Sequence, residues 1–177
     1  MIKQTIFTLI AGIAAVTAVT APSDNAPAHP PFDAAEKSLE IFTHLENKNL
    51  DGLGTLLHPN VIFSLPMSFN GNQDPARYVV GKNEVIEYLK GPMDFIEVID
   101  FVDFRTTVAD NGKTTFLQCK GQFTTAEGTP YLNVYIYRCD WDDNGLLINF
   151  EEYTNPMTYC KSFEDPDCPP GLYQPPQ

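Results

Sequence analysis

The fold is decided by residues 95–154, which read FIEVIDFVDFRTTVADNGKTTFLQCKGQFTTAEGTPYLNVYIYRCDWDDNGLLINFEEYT. Four runs in this stretch are rich in Phe, Tyr, Val, Ile and Thr, the residue types that suit a pleated, half-buried strand. The runs cover residues 95–108, 114–125, 131–141 and 146–153. Each break between them contains a glycine, which supplies the positive φ that a tight hairpin turn needs. The pattern predicts four consecutive antiparallel strands.

The residues before this stretch predict helices. Asp33 stands three residues before Glu36, which is the spacing of a capping box. The apolar residues that follow at helical spacing are Leu39, Phe42 and Leu45. The other predicted elements are a helix at residues 52–57 capped by Asp51, strands at residues 61–65 and 78–80, and a helix at residues 82–90 that ends before Gly91-Pro92.

Helices followed by a run of strands are typical of an α+β domain. We therefore expect a cone-shaped, curved antiparallel β-sheet covered on its concave face by about three N-terminal helices. One amphipathic helix of about four turns must cover this face, which can leave a cavity where the helix does not reach. The sequence therefore predicts a pocket inside the cone.

The first 21 residues have the order of a secretory signal peptide: Lys3 is their only charge, an uncharged stretch follows, and small residues precede Ala21. We expect cleavage near Ala21 and a secreted or periplasmic protein with no stable membrane insertion after processing. A retained N-terminal anchor is the alternative. Residues 22–32 predict a disordered leader, residues 33–160 one domain, and residues 161–177 a Pro-rich tail.

The composition argues against one class of partner. The formal net charge of the full chain is −12, and an acidic surface repels phosphate backbones. We therefore expect no nucleic-acid partner, whereas a small neutral or cationic molecule is compatible with this charge.

Four cysteines in an exported chain favour disulfides. Cys160 and Cys168 bracket a short loop and would close it locally. Cys119 and Cys139 fall on adjacent predicted strands, and they would lie nearly opposite each other if the turn were centred on Gly128-Thr129. Two buried free thiols are the alternative for this second pair.

Several separated motifs together resemble the nuclear-transport-factor-two-like superfamily, and in particular its SnoaL-like and phenazine-biosynthesis-like branch. These motifs are Phe42…Leu45…Asn49-Leu50-Asp51-Gly52-Leu53…Leu57-His58-Pro59-Asn60-Val61…Phe63…Pro66, then Tyr78…Gly81-Lys82-Asn83-Glu84…Tyr88-Leu89, then Tyr131-Leu132-Asn133…Tyr135, Asp143-Asn144-Gly145-Leu146-Leu147 and Glu152-Tyr153-Thr154-Asn155-Pro156. The resemblance covers roughly residues 33–156. It implies the cone fold, and it leaves the reaction open because this cone hosts several chemistries as well as proteins without catalysis.

The resemblance also implies that Glu152 points into the cone. A carboxylate in an apolar pocket has a raised pKa and can act as a general acid or base near neutral pH. A solvated pair with Glu151 at the strand end is the alternative.

Further candidate residues surround this position. Asn133 and Tyr135 share one strand face with Tyr131 and Tyr137 and could donate hydrogen bonds to a ligand oxygen, although a tyrosine ladder that stabilises the sheet or a dimer interface would use the same pattern.

His58 is a second acid–base candidate, or else an ordinary residue at a helix C-terminus. Phe63 and Tyr78 complete the predicted substrate-binding set. No two histidines have metal-ligand spacing, and no nucleotide or phosphate-binding fingerprint is present in the sequence. We therefore expect neither a metal site nor a cofactor.

Two function classes remain. The first is a secreted, cofactor-independent isomerase, cyclase or dehydratase that acts on a small apolar molecule by proton transfer. The second is a non-catalytic domain that binds a small molecule or a partner with the same cone. A homodimer is frequent among similar proteins.

Overall fold

A computed structural model describes residues 30–173 of the chain. The predicted signal peptide, residues 22–29 of the predicted leader and the last four residues of the tail lie outside the described residues. The elements in chain order are α1 (Ala34–Glu46), α2 (Leu50–Leu56), β1 (Leu57–Leu65), β2 (Arg77–Val80), α3 (Lys82–Phe95), β3 (Ile96–Val98), β4 (Phe101–Val108), β5 (Thr114–Thr125), β6 (Pro130–Trp141), β7 (Leu147–Thr154) and α4 (Pro156–Ser162).

All seven strands belong to one sheet, in the order β2-β1-β7-β6-β5-β3, and β4 also pairs with β5. The predicted α+β class and the sequential order of the last strands are confirmed. Neighbouring strands are antiparallel except for β1 and β7, which are parallel. The sheet is therefore mixed, and its first and last long strands lie side by side.

The strand predicted over residues 95–108 is in fact two strands, β3 and β4. Both pair with β5, and the register of β4 shifts between Val102 and Arg105. Asp103 lies in this shift with a φ of 59°. A bulge of this kind bends a strand, which helps the sheet to curl.

Helix α1 is capped as predicted: the Asp33 carboxylate accepts hydrogen bonds from the backbone N–H of Ala35 at 2.8 Å and of Glu36 at 3.1 Å. The predicted position of Leu39 on the sheet is wrong, because this side chain is 39% exposed. The residues of α1 that face the sheet are Ala34, Ser38, Ile41, Phe42 and Leu45.

Ser38 takes a core position on α1 because its hydroxyl is satisfied by buried partners. Its oxygen lies 2.7 Å from the Thr115 hydroxyl and accepts a hydrogen bond from the Trp141 indole at 3.2 Å. A buried hydroxyl with such partners costs little.

Two predicted helix boundaries are wrong. Asn49, and not Asp51, caps α2 by accepting the backbone N–H of Gly52 at 2.9 Å. Helix α3 continues through Gly91 and Pro92 to Phe95.

One helix was not predicted. Helix α4 begins directly after Asn155, whose side chain accepts the backbone N–H of Met157 at 3.1 Å, and Pro156 stands at its start. Proline suits the first helical position because the N–H it lacks would have no helical partner there.

The disulfide between Cys160 and Cys168 is confirmed, with Cα atoms 5.6 Å apart. Cys119 and Cys139 are free and buried. Cys119 lies opposite Tyr135, and Cys139 lies opposite Thr115. The β5–β6 turn closes through a hydrogen bond from the N–H of Gly128 to the carbonyl of Thr125, earlier than predicted, so the two cysteines do not face each other.

Among the described residues, no helix is long and apolar enough to span a lipid bilayer.

The packing of α1 on the sheet depends mainly on Phe42. Its ring meets the rings of Phe101, Phe104 and Tyr137 edge-on at centroid distances of 4.9, 5.2 and 4.9 Å. We expect Phe42→Ala to lower the free energy of unfolding by about 3–5 kcal/mol in chemical denaturation. The matched control on the same helix is Leu39→Ala, which should cost about 1 kcal/mol or less because the side chain is already partly in water. Equal losses in the two variants would contradict this docking of α1.

Candidate functional site

A cavity of about 970 Å³ lies on the concave side of the sheet, beyond the end of α1. Its walls come from the sheet, from α3 and from the chain after β7. The lining is mainly aromatic and aliphatic. The cavity opens to solvent at a rim that includes the exposed residues Phe95 and Glu127. A concave, largely apolar space of this size suits a small organic molecule.

Glu152 lies on β7 directly opposite Tyr137 of β6, and both side chains line the cavity. Side chains alternate across a strand. Glu151 therefore points to the convex face, where its carboxylate lies 3.6 Å from the Arg138 guanidinium and accepts a hydrogen bond from the Tyr153 hydroxyl at 2.9 Å. The two adjacent glutamates thus occupy different environments.

Burial raises the pKa of Glu152 to about 7, and a hydrogen bond from Tyr137 opposes part of this rise. The Glu152 side chain is surrounded by protein on most sides. It is only half-buried because one side faces the cavity. Glu152 takes part in none of the ion pairs formed by residues 30–173. A carboxyl group with this pKa can accept and release a proton at neutral pH.

Three tyrosines of β6 share the cavity with this carboxyl group: Tyr131, Tyr135 and Tyr137 are buried and line it. Burial, with a contribution from the charge of Glu152, raises the pKa of each of them. Their hydroxyls therefore stay protonated at neutral pH and can donate hydrogen bonds.

The tyrosine rings also form a stack along the sheet. Tyr135 and Tyr137 are nearly parallel with centroids 5.6 Å apart, and Tyr137 stacks on Phe150 at 5.4 Å. Gly121 makes room for this stack, because a Cβ atom there would lie 2.8 Å from the Tyr135 ring. The same residues thus pack the sheet and offer polar groups to the cavity.

Asn133 is buried, but its side chain turns toward the protein and does not line the cavity. Its Nδ2 donates a hydrogen bond to the Tyr131 hydroxyl oxygen at 2.8 Å, and its Oδ1 accepts the backbone N–H of Asn155 at 3.2 Å. The structure therefore places Asn133 behind Tyr131.

Phe63 lines the cavity, where its ring contacts Tyr88 of α3 and Phe150 of β7. Tyr78 does not, because it points outward from β2 and is 61% exposed. His58 also lies away from the cavity, at the start of β1, where its Nδ1 accepts the backbone N–H of Asn60 at 3.1 Å. Of the predicted set, the structure brings Glu152, Tyr135 and Phe63 together.

The sequence did not predict that the chain after β7 forms a wall of the cavity. We call residues 156–173 the C-terminal strap; Tyr159, Phe163 and Asp165 of this strap line the cavity. The disulfide between Cys160 and Cys168 closes the strap on itself. The spacing of these two cysteines was the only sequence signal that pointed to structure in this segment.

Arg77 of β2 connects the strap to the cone. It donates hydrogen bonds to Asp165 at 2.7 Å and to Asp167 at 2.6 Å. Asp165 also accepts a hydrogen bond from the Tyr159 hydroxyl at 2.9 Å. These contacts hold the strap against the rim of the cavity.

Residues 30–173 contain no group of three or more His, Cys, Asp or Glu side chains that could hold a metal ion.

No protein-family model matches the sequence, and no curated protein matches it significantly. Solved structures do match the fold. A Bacillus subtilis protein provisionally assigned as an isomerase superposes with a TM-score of 0.63 at 20% identity, over 74% of this chain and 95% of that one.

Two further matches have similar coverage. A steroid delta-isomerase from Pseudomonas aeruginosa has a TM-score of 0.53 at 24% identity, over 71% of this chain and 82% of its own. A Shewanella putrefaciens protein provisionally assigned as a SnoaL-like polyketide cyclase has a TM-score of 0.61 at 12% identity, over 72% and 93%. The chain thus has the nuclear-transport-factor-two-like fold that the sequence resemblance predicted.

Proposed function

We propose that this protein binds a small apolar carbonyl compound in the cavity and moves a proton on it with Glu152, as a cofactor-independent isomerase, cyclase or dehydratase would. The observation that carries this proposal is the Glu152 carboxyl group, which forms no ion pair within residues 30–173 and faces an apolar cavity with a pKa of about 7. A perturbed ionisable group in a cleft is typical of a functional site. The similarity to isomerase and cyclase folds supports the same class of chemistry without specifying the substrate.

The proposed step needs no external oxidant or reductant. The Glu152 carboxylate takes a proton from the carbon next to the carbonyl group. The electron pair of the broken C–H bond forms a C=C bond, and the π pair of the C=O bond moves onto the carbonyl oxygen. One of the β6 tyrosine hydroxyls that line the cavity donates a hydrogen bond to this oxygen. In a ketone with a neighbouring C=C bond, Glu152 then returns the proton to the far carbon of that bond, which gives the isomer. In a ketone with a hydroxyl on the next carbon, the enolate expels this hydroxyl, which takes the proton from Glu152 and departs as water to give the elimination product.

A non-catalytic binding domain is the second candidate. One observation favours it: rings of Phe123, Tyr135, Tyr137 and Phe150 are stacked in sequence along the concave face. Such a wall could hold an apolar molecule without chemistry. In that case Glu152 would only contribute polarity to the pocket.

We expect Glu152→Gln to lower the rate of proton exchange by about 10²–10⁴-fold, because the variant keeps the shape of the side chain and lacks its titrating group. The measurement is deuterium incorporation next to the carbonyl of 2-tetralone and 2-decalone, followed by NMR. A base works in its deprotonated form, so the wild-type rate should rise with pH and level off above about 7.

The matched control is Glu151→Gln, which changes the neighbouring residue on the convex face and should leave the exchange rate unchanged. An unaltered rate in Glu152→Gln would reject Glu152 as the base. Binding of both ketones without exchange, in the wild-type protein, would support the second candidate.

We also propose that the chain is exported, with cleavage near Ala21. The order of the first 21 residues and the disulfide between Cys160 and Cys168 support this proposal. Intact mass spectrometry of protein from its natural source should give a mature N-terminus at or near Pro22. Alkylation of the unfolded protein should modify two thiols without reductant, Cys119 and Cys139, and four after reduction. Four reactive thiols before reduction would contradict the proposal.

A homodimer through the convex face of the sheet is proposed as well. Apolar side chains of β6 form an exposed row there: Leu132, Val134 and Ile136 are 62%, 55% and 42% exposed. A contiguous exposed apolar surface commonly marks an interaction site, and a second copy would cover it with the same row. Light scattering should give a dimer mass for the wild type and a monomer mass for Val134→Glu, whereas the control Leu39→Glu should stay dimeric. A monomeric wild type would overturn this proposal.

A further inference from the structure

One polar atom in the cavity is left unsatisfied. The Thr154 hydroxyl is buried and forms no hydrogen bond of ordinary geometry within residues 30–173, although the Tyr131 and Tyr135 hydroxyls lie near it. The residue lines the cavity and is only 8% exposed. Buried polar groups without a partner are rare in native proteins because each one loses its hydration without a replacement. An unpaired hydroxyl that borders a ligand cavity is therefore most simply explained by a partner on the ligand.

A second hydroxyl near Thr154 is held in a defined orientation. The Asn133 Oδ1 accepts backbone N–H groups of Val134 at 2.8 Å and of Asn155 at 3.2 Å, which requires its Nδ2 to point the other way. Nδ2 carries only hydrogens, so the Tyr131 oxygen must act as the acceptor of their 2.8 Å hydrogen bond. The Tyr131 hydroxyl thus keeps its own proton, and the acceptors within its reach are the neighbouring Tyr135 and Thr154 hydroxyls and a ligand oxygen.

These groups lie away from Glu152 along the same wall. Glu152 and Thr154 are two residues apart on β7, so their side chains start about 7 Å apart on the concave face. Glu152 faces Tyr137 across the ladder, and Thr154 faces Tyr135. The cavity therefore has two polar points on one strand, and the stacked Tyr135 and Tyr137 rings lie opposite them on the next strand.

We propose that Thr154 and Tyr131 form a second polar subsite, which binds an oxygen of the ligand that takes no part in the reaction at Glu152. The ligand class is then a rigid apolar molecule with two oxygen functions, one at each end of a span of about 7 Å. Asn133 is a positioning residue for this subsite, since it contacts Tyr131 and not the cavity. The proposal deepens the proposed function and rests on the same cavity.

The probes for this subsite are naphthalene, 2-naphthol and 2,6-dihydroxynaphthalene, which share one ring system and carry no, one or two oxygens. Isothermal titration with the full mature chain should show roughly tenfold tighter binding of the diol than of 2-naphthol, as one buried hydrogen bond contributes about this factor. Thr154→Val has nearly the same shape without the hydroxyl and should abolish this preference. Thr154→Ser restores a hydroxyl and should retain it.

A ligand-free measurement separates a binding role from a structural one. Because the hydroxyl has no protein partner, Thr154→Val should melt at the same temperature as the wild type or higher. A markedly lower melting temperature would mean that the hydroxyl stabilises the fold, and this would overturn the proposal. So would a wild-type protein that binds the diol no more tightly than 2-naphthol, or a diol preference that survives in Thr154→Val.

The same titrations distinguish this proposal from the proposed function. Glu152→Gln should leave the diol preference in place if the two polar points act separately. Loss of the preference in Thr154→Val with an unaltered exchange rate in Glu152→Gln would keep the subsite and reject the catalytic role. The reverse pattern would keep the catalytic role and reject the subsite.

Discussion

The edge-on packing of Phe42 against Phe101, Phe104 and Tyr137 fixes where helix α1 lies on the sheet, and with it where the cavity begins. The helix fills the concave face at one end of the sheet and stops short of the other. Aromatic rings in this arrangement bury large areas and hold a defined geometry. Glu152 and the three tyrosines line the end of the concave face that α1 leaves uncovered. The C-terminal strap forms the outer wall of the cavity there.

Local sequence patterns predicted most of the architecture, because strand period and turn glycines depend on neighbouring residues alone. The predictions were wrong where burial or strand pairing depends on residues that are distant in sequence. Ser38 lies in the core because of Thr115 and Trp141, while Leu39 beside it is exposed. The pairing of β1 with β7 is non-local, and the register of the β5–β6 hairpin depended on a turn whose centre was misplaced by a few residues.

The candidate site likewise has features that local sequence predicted and features that depend on distant residues. Strand alternation and the resemblance together predicted an inward Glu152, and the common face of the β6 tyrosines was visible from their spacing. The unpaired state of the Thr154 hydroxyl could not be predicted, because it depends on the absence of partners from every neighbouring element. The hydrogen bonds of Arg77 with Asp165 and Asp167 join residues that are 88 and 90 positions apart in sequence, and no local pattern indicates such pairs.

The parallel pairing of β1 with β7 has a consequence for the order in which the molecule assembles. Phe63 pairs directly with Phe150, so two walls of the cavity come from opposite ends of the domain. Contacts between residues so far apart in sequence require closure of a long loop, and they form slowly for that reason. A nascent chain that has not yet reached residue 147 can build the β5–β6 hairpin but lacks the strand that carries Glu152. The cavity is thus completed only when nearly the entire domain has been synthesised, and the strap, which follows β7, can close over it only after that.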